Sequence, residues 1–298
     1  MQIGYVGLGK MGFNMVERLL EKGHQVVAYD RDRAAADAIV GKGAQSSVSL
    51  AALVGSLPAP RLVWLMVPYQ AVDAVLRELT PLLGKGDAVI DGGNSPYKES
   101  MRRATELERK GIDFLDAGVS GGPSGARSGA CVMVGGRKDI FQRFEIIFRD
   151  ISVAGGYAYM GRAGAGHFVK MVHNGIEYGM MQALAEGFSV MNASDFELDL
   201  AKIADLYNHR SVVESRLVDW LKKAYDQYGS DLSSVSGSAA QSGEGMWTVD
   251  AARELGVAVP VIHGALEFRL QSQKNPSYTG RIVSALRNQF GGHEVRKK

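Results

Sequence analysis

Residues 2–12 read QIGYVGLGKMG, a short apolar stretch, Gln2–Val6, followed by three glycines with the spacing G-x-G-x-x-G. This pattern predicts a β-strand that turns sharply into a helix. In such a turn the first glycine allows the bend, the second lets backbone approach a ligand, and the third lets helix and strand pack closely. The N-terminus of a helix attracts phosphate groups through its N–H groups and its dipole. The stretch therefore predicts a dinucleotide site that contains Gly7, Leu8, Gly9, Lys10, Met11 and Gly12.

A second predicted strand, Gln25–Tyr29, ends at an acidic residue, Asp30. A carboxylate at this position accepts hydrogen bonds from the ribose hydroxyls of a dinucleotide and repels a 2′-phosphate. The sequence therefore favours NAD over NADP as the cofactor. Arg31 and Arg33 follow, and a guanidinium can pair with a 2′-phosphate. Arg31 is thus either a cofactor contact or a solvated surface charge.

The rest of the first half alternates short apolar stretches with helical patterns. Further strands are predicted at Leu62–Val67, Ala88–Asp91, Asp113–Asp116 and Cys131–Val134, and helices at Phe13–Lys22, Gln70–Leu83 and Lys98–Lys110. This alternation is typical of βαβ units, whose right-handed crossovers build a doubly wound sheet. We therefore expect an α/β Rossmann domain with a mainly parallel sheet.

The second half contains helical patterns and no convincing strand. Helices are predicted at His167–Ala193, at Asp199–Gln227 as one or two helices, at Thr248–Leu255 and at Val259–Lys274. The glycine-rich stretch 154–166 is predicted to be the loop between two domains, and 229–245 a long loop. These patterns predict a dinucleotide-binding domain at 1–162 and an all-α C-terminal domain at 163–298, ending in a solvated tail at 296–298.

The composition argues against several classes of protein. The 298 residues carry a formal charge of +2, which gives no basic excess for nucleic acid or an anionic membrane. No apolar run approaches the roughly 20 residues of a membrane span. The single cysteine, Cys131, permits no internal disulfide and no cysteine zinc site, and it is expected to be a small buried side chain. No metal cluster is evident, the N-terminus lacks a signal-peptide pattern, and the cytoplasm is the expected compartment.

The helical pattern at 167–193 contains a row of polar residues. Lys170, His173, Asn174, Glu177 and Tyr178 lie at offsets 0, 3, 4, 7 and 8, which places them on one stripe of a helix. A polar stripe bordered by apolar residues is either solvent-exposed or functional. Removal of a hydride from an alcohol carbon needs a base for the hydroxyl proton, and a neighbouring carbon can need an acid. Lys170 and Glu177 fit these two roles.

Two glycine-rich segments follow predicted strands. They are Asp91-Gly92-Gly93-Asn94-Ser95 and Val119-Ser120-Gly121-Gly122-Pro123. Ligands of parallel sheets bind at the carboxyl ends of the strands, and N–H groups in such loops can hold a carboxylate. Each segment is therefore predicted to belong to a ligand site, with an ordinary turn as the alternative.

Four motifs resemble those of the decarboxylating 6-phosphogluconate dehydrogenases, within the β-hydroxyacid dehydrogenase superfamily. They are GLGKMGFN at 7–14, DGGNS at 91–95, GVSGGPSG at 118–125 and GHFVKMVHNGIEY at 166–178. The resemblance covers almost the whole chain, which looks like the short, NAD-preferring bacterial form. It implies oxidation of 6-phospho-D-gluconate by NAD, loss of CO₂ and protonation to D-ribulose 5-phosphate without a metal, in the pentose phosphate pathway and gluconate utilization.

The resemblance also implies roles for individual residues. Lys170 is the implied general base and Glu177 the implied acid, while His173 and Asn174 bind substrate and position the nicotinamide. The implied cofactor contacts include Met66, Val67, Pro68 and Asn94, the last of which also faces the substrate. The substrate carboxylate is implied to lie against Ser120, Gly121 and Gly122, and its phosphate against Tyr178, Arg269 and Arg287. The segment Arg287–His293 resembles a tail that enters a neighbouring subunit's site, which implies a homodimer or homotetramer with His293 as a substrate contact.

One stretch departs from the family pattern and leaves alternatives open. In QSGEGMWT at 241–248, Ser242 and Glu244 stand where long members of the family carry lysine and threonine. A glutamate repels a phosphate unless it is turned away, which leaves gluconate or another aldonate as an alternative substrate. A 3-hydroxyisobutyrate-type dehydrogenase would share the fold, the cofactor and a lysine like Lys170. A non-catalytic NAD-binding sensor is a further alternative, although it would not need Lys170, Asn174 and Glu177.

Overall fold

The structure is a computed structural model that describes residues 1–295, so the tail predicted at 296–298 lies outside it. The chain divides into two compact units between Met171 and Val172. The first unit is built on a sheet of eight strands. These are β1 Gln2–Val6, β2 Gln25–Tyr29, β3 Gln45–Ser46, β4 Leu62–Leu65, β5 Ala88–Asp91, β6 Asp113–Ser120, β7 Ala130–Gly136 and β8 Ser152–Gly161.

The strand order confirms the predicted doubly wound, mainly parallel sheet. The order is β3-β2-β1-β4-β5-β6-β7-β8, and every neighbouring pair is parallel except β6 and β7. The chain runs outward from β1 to β3 and then returns to place β4 on the other side of β1. Sheets of this kind bind ligands at such a reversal, outside the carboxyl ends of the strands.

Helices cover both faces of this sheet because alternate strand residues point to opposite sides. On β4, Trp64 belongs to one apolar cluster, whereas Val63 and Leu65 belong to the other. Trp64 stacks on Tyr5 of β1 with ring centroids 6.2 Å apart. The helices are α1 Lys10–Glu21, α2 Arg33–Val40, α3 Leu50–Gly55, α4 Tyr69–Leu79, α5 Tyr97–Glu108, α6 Gly122–Ser128, α7 Lys138–Arg143 and α8 Glu145–Ile151. The next helix, α9 Ala165–Asn192, begins in the first unit and ends in the second.

The prediction of a loop at 154–166 is wrong, because residues 152–161 form the edge strand β8. Gly155 and Gly156 indicated a loop, but an edge strand tolerates them since it pairs on one side only. The pairing of β8 with β7 also shifts register twice, which accommodates Gly155 at φ +70°. The buried position predicted for Cys131 is likewise wrong, because its side chain is exposed on β7.

Among the described residues of the second unit, helices joined by loops are the only regular secondary structure, as predicted. After the remainder of α9 it contains α10 Leu200–Tyr207, α11 Arg216–Tyr228, α12 Glu244–Glu254, α13 Pro260–Ser272 and α14 Tyr278–Gly291. Phe188, Leu221, Tyr225 and Leu286 are among the buried residues of its apolar cluster. The predicted long loop between α11 and α12 buries Val235 in the same cluster. Helix α14 was not predicted, and Arg287 lies on it rather than in an irregular tail.

The beginning of α9 is attached to the sheet through a buried carboxylate. Asp116 of β6 is fully buried, and its two oxygens accept the N–H groups of Gly164 (2.7 Å) and His167 (2.8 Å). A Cβ on Gly166 would lie 2.5 Å from the Met133 carbonyl oxygen of β7. The first turn of α9 therefore packs directly on strand backbone, with no side chain between them.

We expect Asp116→Asn to lower the free energy of unfolding by roughly 1–3 kcal/mol, because the amide cannot accept both N–H groups and leaves a buried donor unpaired. Urea unfolding measures this difference. The control is Asp139→Asn, whose carboxylate pairs with Arg137 on the surface and should change stability by less than about 1 kcal/mol. Equal losses in the two variants would contradict the assigned role of Asp116.

Candidate active site

The glycine loop between β1 and α1 has the geometry of a phosphate-binding turn. Gly7 has φ +101°, and a Cβ there would overlap the Met66 carbonyl oxygen. A Cβ on Gly12 would overlap the Gly7 carbonyl oxygen, so helix and loop approach as closely as backbone allows. Gly9 is the N-cap residue of α1, and it has no side chain that could accept the free N–H groups there. It faces open space, since a Cβ added to it would have no atom within 4 Å. The loop therefore fits a pyrophosphate group.

Asp30 lies directly beside this loop. Its Oδ2 accepts the N–H of Leu8 at 2.5 Å and its Oδ1 accepts the N–H of Asp32 at 2.8 Å. A carboxylate has about four lone-pair sites, so two remain for ribose hydroxyls. Arg33 pairs with Asp37 on α2 at 2.9 Å, whereas Arg31 is exposed. Asp30 is thus an acidic group held by hydrogen bonds directly beside the glycine loop.

Two further loops join the glycine loop at the same edge of the sheet. Residues 66–68 follow β4 and residues 92–95 follow β5. Strand β4 pairs with β1, and β5 pairs with β4 on its other side. A Cβ on Gly93 would lie 2.7 Å from the Val67 carbonyl oxygen, so these two loops touch. Asn94 is exposed between buried neighbours. The structure thus brings together the sequence-predicted cofactor residues of all three loops.

Lys170 lies on the second turn of α9 and is buried, with 7% of its surface exposed. A Cβ on Gly118 of β6 would overlap Lys170 Cβ, so only glycine allows this approach of strand and helix. Ser120 ends the same strand, and Gly121 and Gly122 follow at φ +130° and +61° as α6 begins. The predicted carboxylate-binding residues therefore lie at the carboxyl end of the strand that supports Lys170.

The row of polar residues continues along α9 in the second unit. His173 Nδ1 lies 2.9 Å from Asn174 Oδ1 and 3.9 Å from Glu177 Oε2. The Glu177 side chain is 21% exposed and Tyr178 is buried. These side chains lie on the same stripe as Lys170 because α9 is one continuous helix. The stripe is therefore partly buried, unlike an ordinary solvated face.

Two arginines accompany Tyr178 in the second unit. The guanidinium carbon of Arg269 lies 3.3 Å from the centroid of the Tyr178 ring, and Arg269 Nη2 donates to Met181 Sδ at 3.4 Å. Burial lowers the pKa of Arg269 to about 10, and burial also lowers the pKa of Arg287. Within residues 1–295, neither arginine forms an ion pair with a carboxylate. A buried and a partly buried guanidinium of this kind are suited to an anionic ligand.

The stretch 241–245 borders the same cluster. The N–H of Ser242 donates to the Tyr178 hydroxyl oxygen at 3.3 Å, and Gly245 packs against the Tyr178 ring. Glu244 is the first residue of α12 and is buried, and its charge opposes the burial-driven fall in the pKa of Arg287. The ring of His293, the predicted substrate contact near the end of the chain, packs edge-on against Phe290.

One buried charge near the loops was not singled out in the sequence. Arg103 of α5 is 2% exposed and reaches the loop that follows β5. Its position in the sequence could have indicated burial, because Ser100, Arg103 and Leu107 form the buried face of α5 at helical spacing.

No group of His, Cys, Asp or Glu side chains suited to a metal occurs in residues 1–295. Across the same residues, every helix is too short or too polar to cross a membrane.

Comparisons with known proteins agree over the full length of the chain. Residues 2–161 match the NAD-binding domain of 6-phosphogluconate dehydrogenase, and residues 166–298 match the C-terminal domain of the same enzyme. The chain is 48% identical over its whole length to the full-length Bacillus subtilis protein YqeC, provisionally named a 6-phosphogluconate dehydrogenase. It is 42% identical, over all of this chain and 99% of the relative, to the NAD(+)-dependent, decarboxylating 6-phosphogluconate dehydrogenase of Haloferax volcanii.

Among solved structures, Plasmodium falciparum 6-phosphogluconate dehydrogenase superposes with a TM-score of 0.85 at 30% identity, over 92% of this chain and 62% of that one. A 3-hydroxyisobutyrate dehydrogenase from Salmonella typhimurium shares the fold, with a TM-score of 0.79 at 19% identity, over 96% of this chain and 99% of that one. The two family models together cover nearly every residue, and the chain belongs to the 6-phosphogluconate dehydrogenase family.

Proposed function

We propose that this protein catalyses the NAD-dependent oxidative decarboxylation of 6-phospho-D-gluconate to D-ribulose 5-phosphate and CO₂. The observation that carries the proposal is the polar stripe of α9, in which a buried Lys170 is followed on one helix face by Asn174 and Glu177. The family membership supports the reaction class. The proposed division of labour is a dinucleotide-binding domain at 1–162 and a substrate domain at 163–298.

The first step uses Lys170 as a base. A buried lysine beside the positively charged nicotinamide can be held in its neutral form, which a base requires. Lys170 accepts the proton of the C3 hydroxyl, while bound NAD supplies the acceptor for the hydride that leaves C3. The product of this step is a 3-keto acid, and Lys170 is then protonated.

The second step needs an acid and no metal. The C1–C2 bond of the 3-keto acid breaks, CO₂ leaves, and the electron pair moves into the C3 carbonyl to form an enediol. Lys170 can return its proton to the C3 oxygen, because it took up a proton in the first step. Glu177 then donates a proton to the carbon that becomes C1 of ribulose 5-phosphate, while Lys170, now neutral, takes back the proton of the former C3 hydroxyl as that carbon becomes the C2 carbonyl.

The binding roles follow the two ends of the substrate. Ser120, Gly121 and Gly122 are proposed to hold the carboxylate, with Asn94, His173 and Asn174 beside the reacting carbons. Tyr178, Arg269 and Arg287 are proposed to hold the phosphate, because buried guanidinium groups bind phosphate well. We further infer a homodimer or homotetramer in which the segment 287–293, including His293, completes a neighbouring subunit's site.

Glu244 supports one alternative substrate. Its buried carboxylate acts on Arg287 and would repel a phosphate in the same space. An unphosphorylated aldonate such as gluconate would avoid this repulsion while using the same Lys170 and cofactor loops. The two substrates are distinguished by direct turnover.

The deciding experiment measures initial rates at 340 nm with 6-phosphogluconate or gluconate, each with NAD or NADP, while released CO₂ is trapped. We expect strong turnover with 6-phosphogluconate and NAD, and one CO₂ for each NADH formed. Turnover with gluconate alone would move the proposal to the aldonate, and NADH without CO₂ would move it to a non-decarboxylating dehydrogenase.

We expect Lys170→Ala to abolish hydride transfer and Glu177→Ala to lower turnover roughly 10²-fold or more, because each variant removes a proton-transfer group. Steady-state rates with 6-phosphogluconate and NAD provide the measurement. Glu186→Gln is the matched control, since Glu186 lies on the same helix and is exposed. Normal turnover in either site variant would refute the assigned roles.

For the cofactor, Asp30→Asn should reduce the preference for NAD over NADP about tenfold or more, because the charge that repels a 2′-phosphate is lost. The amide oxygen can still accept the Leu8 N–H, so the loop should keep its shape. The ratio of kcat/KM for NAD and NADP gives the result, with Asp32→Ala as the neighbouring control. An unchanged ratio in Asp30→Asn would show that another residue sets the preference.

A further inference from the structure

Arg103 is a buried charge that the proposed mechanism does not use. It projects from the inner face of α5 and is 2% exposed, one of the largest fully buried side chains of the protein. Replacement of a buried ion pair by apolar residues is often neutral or favourable for stability. A buried arginine therefore calls for an explanation beyond stability, and its contacts supply one.

The guanidinium of Arg103 contacts the loop after β5 and, on the β4 side, the residue that directly follows the loop at 66–68. Its Nη1 donates to Asp91 Oδ2 at 3.2 Å and to Ser95 Oγ at 3.0 Å, which fixes the two ends of the loop after β5. Its Nη2 donates to the Tyr69 carbonyl oxygen at 3.3 Å, directly after the loop at 66–68. Its Nε donates to Asp73 of α4 at 2.8 Å.

The loop after β5 is folded around the carboxylate that Arg103 binds. Asp91 is fully buried, its Oδ1 accepts the N–H of Gly93 at 3.2 Å, and its Oδ2 accepts the Ser95 hydroxyl at 2.7 Å. Asn94 lies between these two anchored residues. A shift of the Asp91 carboxylate would therefore move Asn94, and a shift of Tyr69 would move the loop at 66–68.

The position of these loops assigns them to one half of the cofactor. Asp30 follows β2 on one side of the glycine loop and suits the adenosine ribose, whereas β4 and β5 lie on the other side. A dinucleotide that crosses the glycine loop must place its nicotinamide half over β4 and β5. Arg103 thus lies beneath the nicotinamide half, behind the residues that would touch it.

We propose that Arg103 is a positioning residue that fixes the spacing of the loops at 66–68 and 92–95 and so determines affinity for the nicotinamide half of NAD. The inference rests on the proposed function, because it takes these loops as the cofactor site. Lysine cannot replace the arginine here, since a single ammonium lacks the planar fork that reaches Asp91, Ser95 and Tyr69 together.

The test compares Arg103→Lys with Arg102→Lys, the adjacent arginine. Arg102 is 40% exposed and pairs with three carboxylates, Asp73, Glu99 and Glu106, which lie outside both loops. Calorimetry measures the Kd of NAD and of ADP-ribose, which lacks the nicotinamide. We expect Arg103→Lys to raise the Kd of NAD about tenfold, the effect of losing one charge-assisted hydrogen bond, with the Kd of ADP-ribose unchanged. Arg102→Lys should change neither value by more than about twofold.

Several outcomes separate this role from a merely structural one. The proposal would be overturned if the Arg103→Lys protein melted at a lower temperature but bound NAD with the wild-type Kd. It would also be overturned if the Kd values of NAD and ADP-ribose rose equally. Where Arg103→Lys does not fold, Ser95→Ala decides. This variant removes one hydroxyl that both Arg103 and Asp91 bind. It should raise the Kd of NAD about threefold or more and leave the Kd of ADP-ribose unchanged. Wild-type protein that binds NAD but does not oxidise 6-phosphogluconate would refute the proposed function and leave the Kd comparison valid.

Discussion

The direct packing of the first turn of α9 on strand backbone determines where Lys170 lies. Glycines at 118, 135 and 166 remove every side chain that would separate the helix from β6 and β7. Asp116 then holds the free N–H groups of that turn, which the helix cannot satisfy internally. Packing at van der Waals distance leaves little freedom for the helix to slide. The position of the proposed base is therefore set by the sheet, and a substitution that separates helix from strand would move Lys170 as well.

Helix α5 connects this support with the cofactor loops. Its Ser100 hydroxyl lies 2.7 Å from Nδ1 of His167, in the first turn of α9, and both residues are buried. Three residues later, Arg103 binds the loop after β5 and the Tyr69 carbonyl oxygen that follows the loop after β4. A three-residue spacing places both side chains on the same face of the helix. One rigid element thus contacts the helix of the proposed base and the loops proposed to hold the nicotinamide, the two parts whose separation a hydride transfer depends on.

Some parts of the fold and of the candidate site could be predicted from the sequence, and others could not. The glycine motif, Asp30 and the polar stripe could be predicted because each depends on local spacing, and the structure places α9 at Ala165–Asn192 against the predicted 167–193. Their catalytic and binding roles stay predictions. Strand β8 could not be predicted, since its glycines indicate a loop and its pairing with β7 leaves no local signal in the sequence. Helix α14 had a readable signal that was missed, because Ser277 caps it by accepting the Gly280 N–H.

The buried cluster of the second unit shows why arginine suits this position better than lysine. Burial lowers the pKa of Arg269 to about 10, so the guanidinium remains charged at neutral pH. The pKa of lysine is lower than that of arginine before burial, so the same burial would remove the charge of a lysine more readily. The charge of Arg287 also lowers the pKa of Arg269, so an anion in contact with both guanidinium groups would relieve their repulsion. Glu177 and Glu244 oppose the fall in the pKa of Arg287, which means that the cluster holds part of its own counter-charge. A phosphate bound as proposed would compete with Glu244 for Arg287, and its affinity would then depend on a residue that contacts no reacting atom.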